Sequence, residues 1–157
     1  MFEARVRFNT IVTTGAINLG LVDAGTYTAS PWTLSGTTLA DHANVADGVA
    51  FLYDTDATTV TIRLVSTKAG TVGTLAAGTM VDTGIAPTVD VFHLYTIRCD
   101  TSGNANFYID DIYRGSIPAA FTTTTALEPF VGVGNRDNST NEAIAIDYIL
   151  TSGKRLA

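Results

Sequence analysis

Residues 90–115 read DVFHLYTIRCDTSGNANFYIDDIYRG. Phe92, Leu94, Thr96 and Arg98 alternate with Val91, His93, Tyr95, Ile97 and Cys99. That period of two sends successive side chains to opposite faces of a strand. Asp100-Thr101-Ser102-Gly103-Asn104 then gathers the residue types that reverse a chain. Phe107 and Ile109 alternate with Asn106, Tyr108 and Asp110, and a third short strand segment follows. The stretch is a hairpin, the building block of an antiparallel sandwich. It carries no catalytic motif.

The same alternation recurs on either side. Phe2, Ala4, Val6 and Phe8 alternate with Glu3, Arg5, Arg7 and Asn9, giving a strand with an apolar and a charged face. Ile17, Leu19 and Leu21 form the next period-two run, in which Gly20 marks a close backbone approach or a bulge. Tyr27-Thr28 starts another short strand. Residues 29–47, ASPWTLSGTTLADHANVAD, lack regular alternation and predict a long loop with one helical turn near residues 39–45. Residues 48–53 form an apolar central strand, Asp54-Thr55-Asp56-Ala57 a turn, and Val60, Ile62 and Leu64 a return strand. Short strands are expected near residues 72–75 and 80–81, then at 130–134 and 143–150. The pattern predicts an all-β, antiparallel two-sheet sandwich of about nine to twelve strands, with residues 1–157 as a single domain.

Composition narrows the function classes. Charged residues are 15% of the chain against a usual share of about 25%, which suits a β protein with two well-covered sheets. The net charge is −6, and the cations Arg5, Arg7, Arg63, Lys68, Arg98, Arg114 and Arg136 are scattered; only Lys154-Arg155 are adjacent. Neutralising a phosphate backbone needs clustered cations, so nucleic acid is not an expected partner. Cys99 is the sole cysteine, so no intrachain disulfide forms. Beside Ile97 it reads as a small buried hydrophobe, since a nucleophile would want a cationic neighbourhood. MFEARVRFNT has no apolar leader segment, and no run approaches 18 apolar residues. The expectation is a soluble chain made without export or membrane contact.

Catalytic candidates are sparse. Glycoside hydrolysis needs two carboxylates about 5–5.5 Å or 6.5–9.5 Å apart. Glu142 and Asp147 are the nearest pair on a strand, but their odd spacing puts them on opposite faces. His93 shares a face with Tyr95 and Ile97 and reads as a half-buried strand residue, while His42 beside Asp41 reads as a solvated loop residue. Neither sits beside a nucleophile. The carboxylates Asp54 with Asp56, Asp110 with Asp111, and Asp137 with Asn138 match no calcium-ligand loop and are first explained by turn chemistry. Catalytic, cofactor and metal residues are therefore read as none. For sugar contact, an aromatic platform with amide partners is wanted, and Trp32 with Tyr27 and Asn44 in the long loop is the best group. The competing reading has Trp32 plugging the end of the sandwich or packing against a subunit.

Three segments carry a resemblance: Phe92-His93-Leu94-Tyr95-Thr96-Ile97-Arg98, Gly103-Asn104-Ala105-Asn106-Phe107-Tyr108-Ile109-Asp110, and Ala145-Ile146-Asp147-Tyr148-Ile149. Together with the opening FEARVRF, they resemble the concanavalin A-like (laminin G-like) jelly-roll superfamily over roughly residues 1–150. Two departures stand out. Asp110-Asp111 occupies the place of a frequent Asp-Gly, and family members carry one or two strands before the FEARVRF-like strand. That implies a trimmed fold, an edge supplied by a neighbouring subunit, or absent upstream residues. The style of the chain is similar to bacteriophage virion proteins. The resemblance thus implies a non-enzymatic structural subunit, foremost a capsid decoration protein located in the virion. It would bind a major capsid protein or another virion protein, and its own copies, through the 29–47 loop and an open edge near Phe2, with a homotrimer favoured. The alternative it implies is a carbohydrate-binding module of a phage fibre or adhesin.

Overall fold

In a computed structural model, the described residues are 1–9, 15–23, 30–41, 45–74, 77–136 and 143–153. They form thirteen strands and no helix. These are β1 (Phe2–Phe8), β2 (Gly15–Asp23), β3 (Trp32–Ser35), β4 (Thr38–Asp41), β5 (Gly48–Asp54), β6 (Arg63–Lys68), β7 (Thr71–Val72), β8 (Met80–Asp82), β9 (Phe92–Cys99), β10 (Ala105–Ile109), β11 (Ile112–Ile117), β12 (Leu127–Asn135) and β13 (Ile144–Thr151). A five-stranded sheet runs β11-β10-β9-β1-β13. A six-stranded sheet follows the path β12-β2-β5-β6-β7, with β8 also paired to β6. All strand pairings between these elements are antiparallel. The architecture is the jelly-roll sandwich expected from the alternation, with one strand more than the upper bound of twelve.

Period two explains the core. Phe2, Ala4, Val6 and Phe8 of β1 and Tyr95 and Ile97 of β9 face Ile17, Leu19 and Leu21 of β2 and Val49, Phe51 and Tyr53 of β5. Rings interlock here: Phe51 meets Tyr95 and Phe107 edge-on, each at 5.2 Å between centroids. The six-stranded sheet is covered on its other face as well. Val22, Ala50, Leu52, Val65 and Met80 pack there with Trp32, Leu34 and Leu39 of the β3–β4 hairpin. β5 is therefore buried at every position, which accounts for its unbroken apolar sequence. Gly20 is a close approach: a Cβ there would lie 2.1 Å from the Val49 carbonyl oxygen.

Three expectations change, and one falls outside the described residues. Residues 32–41 form the β3–β4 hairpin, where a loop with a helical turn was expected; residues 42–44 lie outside the described set. The return strand begins at Arg63, beyond Val60, because residues 55–58 are diverted onto that hairpin. Gly36 donates to the Asp56 carbonyl at 2.8 Å and Thr58 to the Gly36 carbonyl at 2.9 Å. Tyr27-Thr28 lies outside the described residues. Finally, β1 is not an open edge. It is hydrogen-bonded to β9 on one side and β13 on the other, and Phe2 is fully buried.

Candidate functional site

Of the sugar-contact group expected around Trp32, the described member is buried. Trp32 has 0% of its area exposed. Its indole N–H donates to Thr67 Oγ1 at 2.8 Å, and Asn18 bonds its backbone at both N–H and C=O (3.3 and 3.1 Å). Thus β2 and β6 clamp it from below. Gly48 makes room for the ring, since a Cβ there would sit 2.8 Å from Trp32 Cη2. Trp32 is a core residue between the six-stranded sheet and the β3–β4 hairpin, not a plug at the end of the sandwich. Tyr27 and Asn44 lie outside the described residues, as do His42, Asp137, Asn138 and Glu142.

The exposed aromatic residues gather elsewhere, on the outer face of the five-stranded sheet. The alternation that buries Phe107 and Ile109 turns Tyr108 outward. Asp110 and Asp111, with φ of 52° and 62°, make a two-residue reversal with both residues left-handed, which fits the twist of a hairpin. That turn sets Tyr113 directly opposite Tyr108, with rings 5.7 Å apart and inclined at 65°. The register continues from Tyr108 to Thr96, from Thr96 to Glu3, and from Glu3 to Leu150. One row of positions therefore crosses all five strands, a span of roughly 19 Å at about 4.8 Å per strand, with Thr96 at its centre buried beneath its neighbours.

Charged groups flank the row. The Arg98 guanidinium lies 4.6 Å above the Tyr108 ring, and Arg5 and Arg7 lie 4.9 and 5.3 Å from the Phe92 ring. Arg5 pairs with Asp147 at 2.6 Å, and the Tyr148 hydroxyl donates to Glu3 Oε1 at 2.9 Å. That hydrogen bond to a carboxylate pushes the Tyr148 phenol above its ordinary value. The face places three arginines, Arg5, Arg7 and Arg98, against two acids, Glu3 and Asp147, in a chain of net charge −6. Flat rings cover the C–H faces of a sugar, and guanidinium and carboxylate forks match adjacent hydroxyls.

The other sequence candidates have structural work. His93 Nδ1 lies 2.6 Å from Asp110 Oδ2, and Asp110 Oδ1 accepts the Leu94 N–H at 2.9 Å. Burial favours the neutral Asp110 carboxyl, but the Leu94 and His93 hydrogen bonds and the His93 and Arg114 charges outweigh it and hold it below the ordinary value. These groups border a cavity of about 70 Å³ at the end of the sandwich, with Tyr95, Ile62 and Ile85. Asp54 and Asp56 share Arg136, whose Nη2 is 2.8 Å from Asp56 Oδ2 and whose Nε is 3.5 Å from Asp54 Oδ1. Asp54 also accepts the Leu34 N–H at 2.6 Å. Cys99 is partly buried, and burial pushes its thiol up to about 11, so it stays protonated at neutral pH. Among the described residues no group of three or more His, Cys, Asp or Glu side chains gathers to hold a metal ion. No helix among them is long and apolar enough to cross a membrane.

No protein-family model matches the chain, and no curated protein matches it. Solved structures do. A native glycosidic hydrolase superposes with a TM-score of 0.60 at 14% identity, over 94% of this chain and 62% of that one. The β-glucanase of Bacillus licheniformis gives 0.59 at 12%, over 92% and 61%. The carbohydrate-binding module CBM66 from Bacillus subtilis gives 0.51 at 9%, over 94% and 71%. The chain thus spans less than two thirds of the length of the two hydrolases. At these identities the likeness is one of fold: a concanavalin A-like jelly roll.

Proposed function

We propose that the protein binds carbohydrate through the outer face of its five-stranded sheet and does not cleave it. The observation that carries this reading is the Tyr113–Tyr108 ring pair at one margin and Glu3 with Tyr148 at the other, flanked by Arg98 and Arg5, while Thr96 between them is buried and supports the face from beneath. Tyr113 offers 53% of its area to solvent at one margin, and Tyr148 offers 40% at the other. A fold used by hydrolases and by a binding module supports a carbohydrate ligand in general. Binding without cleavage rests on the state of the carboxylates. A general acid needs a raised pKa and a proton to give. On this face Asp147 is committed to Arg5, and Glu3 accepts the Tyr148 hydroxyl.

A glycan array read with the intact protein tests this. Saturable binding is expected, weakened about tenfold by Tyr113→Ala or Tyr108→Ala, the loss of one stacked ring. Trp32→Phe should leave it unchanged. A blank array, or binding indifferent to both tyrosines, overturns the proposal. A second reading, a structural subunit that joins copies of itself, draws on a separate feature, the free edge of β13.

A further inference from the structure

We infer that two copies of this chain pair edge to edge through β13, antiparallel about a two-fold axis, joining their five-stranded sheets into one of ten. The inference is independent of carbohydrate binding. An unpaired strand edge is a template for another strand, and proteins usually guard it. Of the four edges of the two main sheets, three are guarded among the described residues. β11 is bulged, with Arg114 as the extra residue. β12 carries Pro129, and the edge beyond β6 is split between β7 and β8, two and three residues long. β13 pairs among the described residues with β1 alone; it is eight residues long, with no proline or glycine, and its single charge, Asp147, is already neutralised by Arg5.

β13 is also apolar on both faces. Ile146, Tyr148, Ile149 and Leu150 are 45, 40, 43 and 49% exposed. Ile146 and Ile149 are paired with Val6 and Ala4, whose side chains point into the core, yet remain half open to solvent. Val133 of β12, across the seam between the sheets, is 37% exposed. Solvated apolar side chains on both faces of one edge strand mark an interaction surface.

The occupant that fits is a second β13. The pairing with β1 shifts register between Arg5 and Val6, leaving Asp147 as an extra residue, so Ile146 and Ile149 share the inward face despite their odd spacing. A two-fold axis between residues 147 and 148 then sets Ile146 against Ile149 of the second copy, and Ala145 against Leu150, each pair on a common face. Without the bulge this register would oppose inward to outward residues. Because the strand's one charge is internally paired, self-association brings no uncompensated like charges together. Eight residues at about 3.4 Å give a strip roughly 27 Å long. That is a small interface, so the dissociation constant is expected on the order of micromolar.

Sedimentation of the intact protein from about 1 μM to 1 mM, a range set by that interface size, should show its mass rising from 16.5 kDa toward twice that value. Ile149→Lys should weaken pairing at least about tenfold. Because this change could also loosen the fold, the register is tested separately by cross-linking. Ile146→Cys with Ile149→Cys should give a covalent dimer on oxidation, whereas Ile146→Cys with Leu150→Cys, on opposite faces, should not. A single-chain mass throughout the range, a trimer, or equal cross-linking of both cysteine variants overturns the inference.

Discussion

Asp110 and Asp111 hold nearly the same left-handed backbone, yet substitution should act on them with opposite sign. Asp111 is exposed, so Asp111→Gly removes the steric cost of φ 62° while costing some chain entropy. We expect it to stabilise by about 0.5 kcal/mol in urea unfolding. Asp110 anchors the hairpin to β9, donating its N–H to the Leu94 carbonyl at 2.8 Å and accepting from Leu94 and His93. Asp110→Gly should therefore destabilise by about 2 kcal/mol, the loss of two hydrogen bonds to a charged group discounted for its partial exposure. Equal effects at the two positions would contradict the roles assigned here. The turn was legible in the Asp-Asp pair. The pairing of Tyr108 with Tyr113 follows from a two-residue loop by counting outward from it. Composition points instead to the irregular loop, where the sole tryptophan lies, because a tyrosine pair in a regular strand carries no local mark of its exposure.

The β3–β4 hairpin shows what alternation alone misses. Trp32 and Leu34 face the sheet and alternate with Thr33 and Ser35, but a four-residue strand with threonine and serine in it looks like a loop. Its order comes from tertiary contacts that leave no local mark: Asn18 on β2, Thr67 on β6 and the buried carboxylate of Asp54. Removing one contact should be measurable. Trp32→Phe keeps most of the apolar bulk but leaves Thr67 without its indole donor, and is expected to cost about 1–3 kcal/mol. Trp32→Ala should cost about 3–5 kcal/mol. Thermal unfolding checks both, and a neutral Trp32→Phe would show that the bond contributes nothing. Gly48→Ala should resemble the larger loss, since the added methyl meets both the ring and the Leu21 carbonyl.

At the scale of the molecule, acid stability is a balance of opposed carboxylates. Burial opposes ionisation of Asp82, but the Thr61 hydroxyl at 2.6 Å, the Gly84 N–H and Arg63 at 2.8 Å together depress its pKa, and Asp110 is depressed as well. A depressed carboxylate adds stability above its unfolded value, about 3.9, and that stability is lost as pH falls toward the folded value. Asp54 is opposite in sign: desolvation raises it despite its hydrogen bonds to the Leu34 and Asp56 N–H groups and the nearby Arg136 charge. It therefore favours the folded state only at low pH, and that contribution fades as pH rises. We expect Asp82→Asn to cost about 2 kcal/mol near neutral pH, because it strands the buried Arg63 guanidinium. The gap between variant and parent should close as pH falls from 5 to 2. A gap constant with pH would remove the charge from the explanation.

The sandwich was readable because period two repeats in nearly every long strand. Strand order was not, because adjacency is set by pairings such as Phe2 with Ile97 and Thr151, residues far apart in the chain. For the same reason the sequence could not show that β1 lies inside its sheet. One consequence of the two-faced burial of the six-stranded sheet concerns time. β2 and β5 are flanked by strands on both sides and covered above and below, so their amides open only with the whole domain. The five-stranded sheet is covered on one face only and ends in the solvated β13. Hydrogen exchange is therefore expected to reach the half of the molecule that carries the tyrosine row before it reaches β2 and β5.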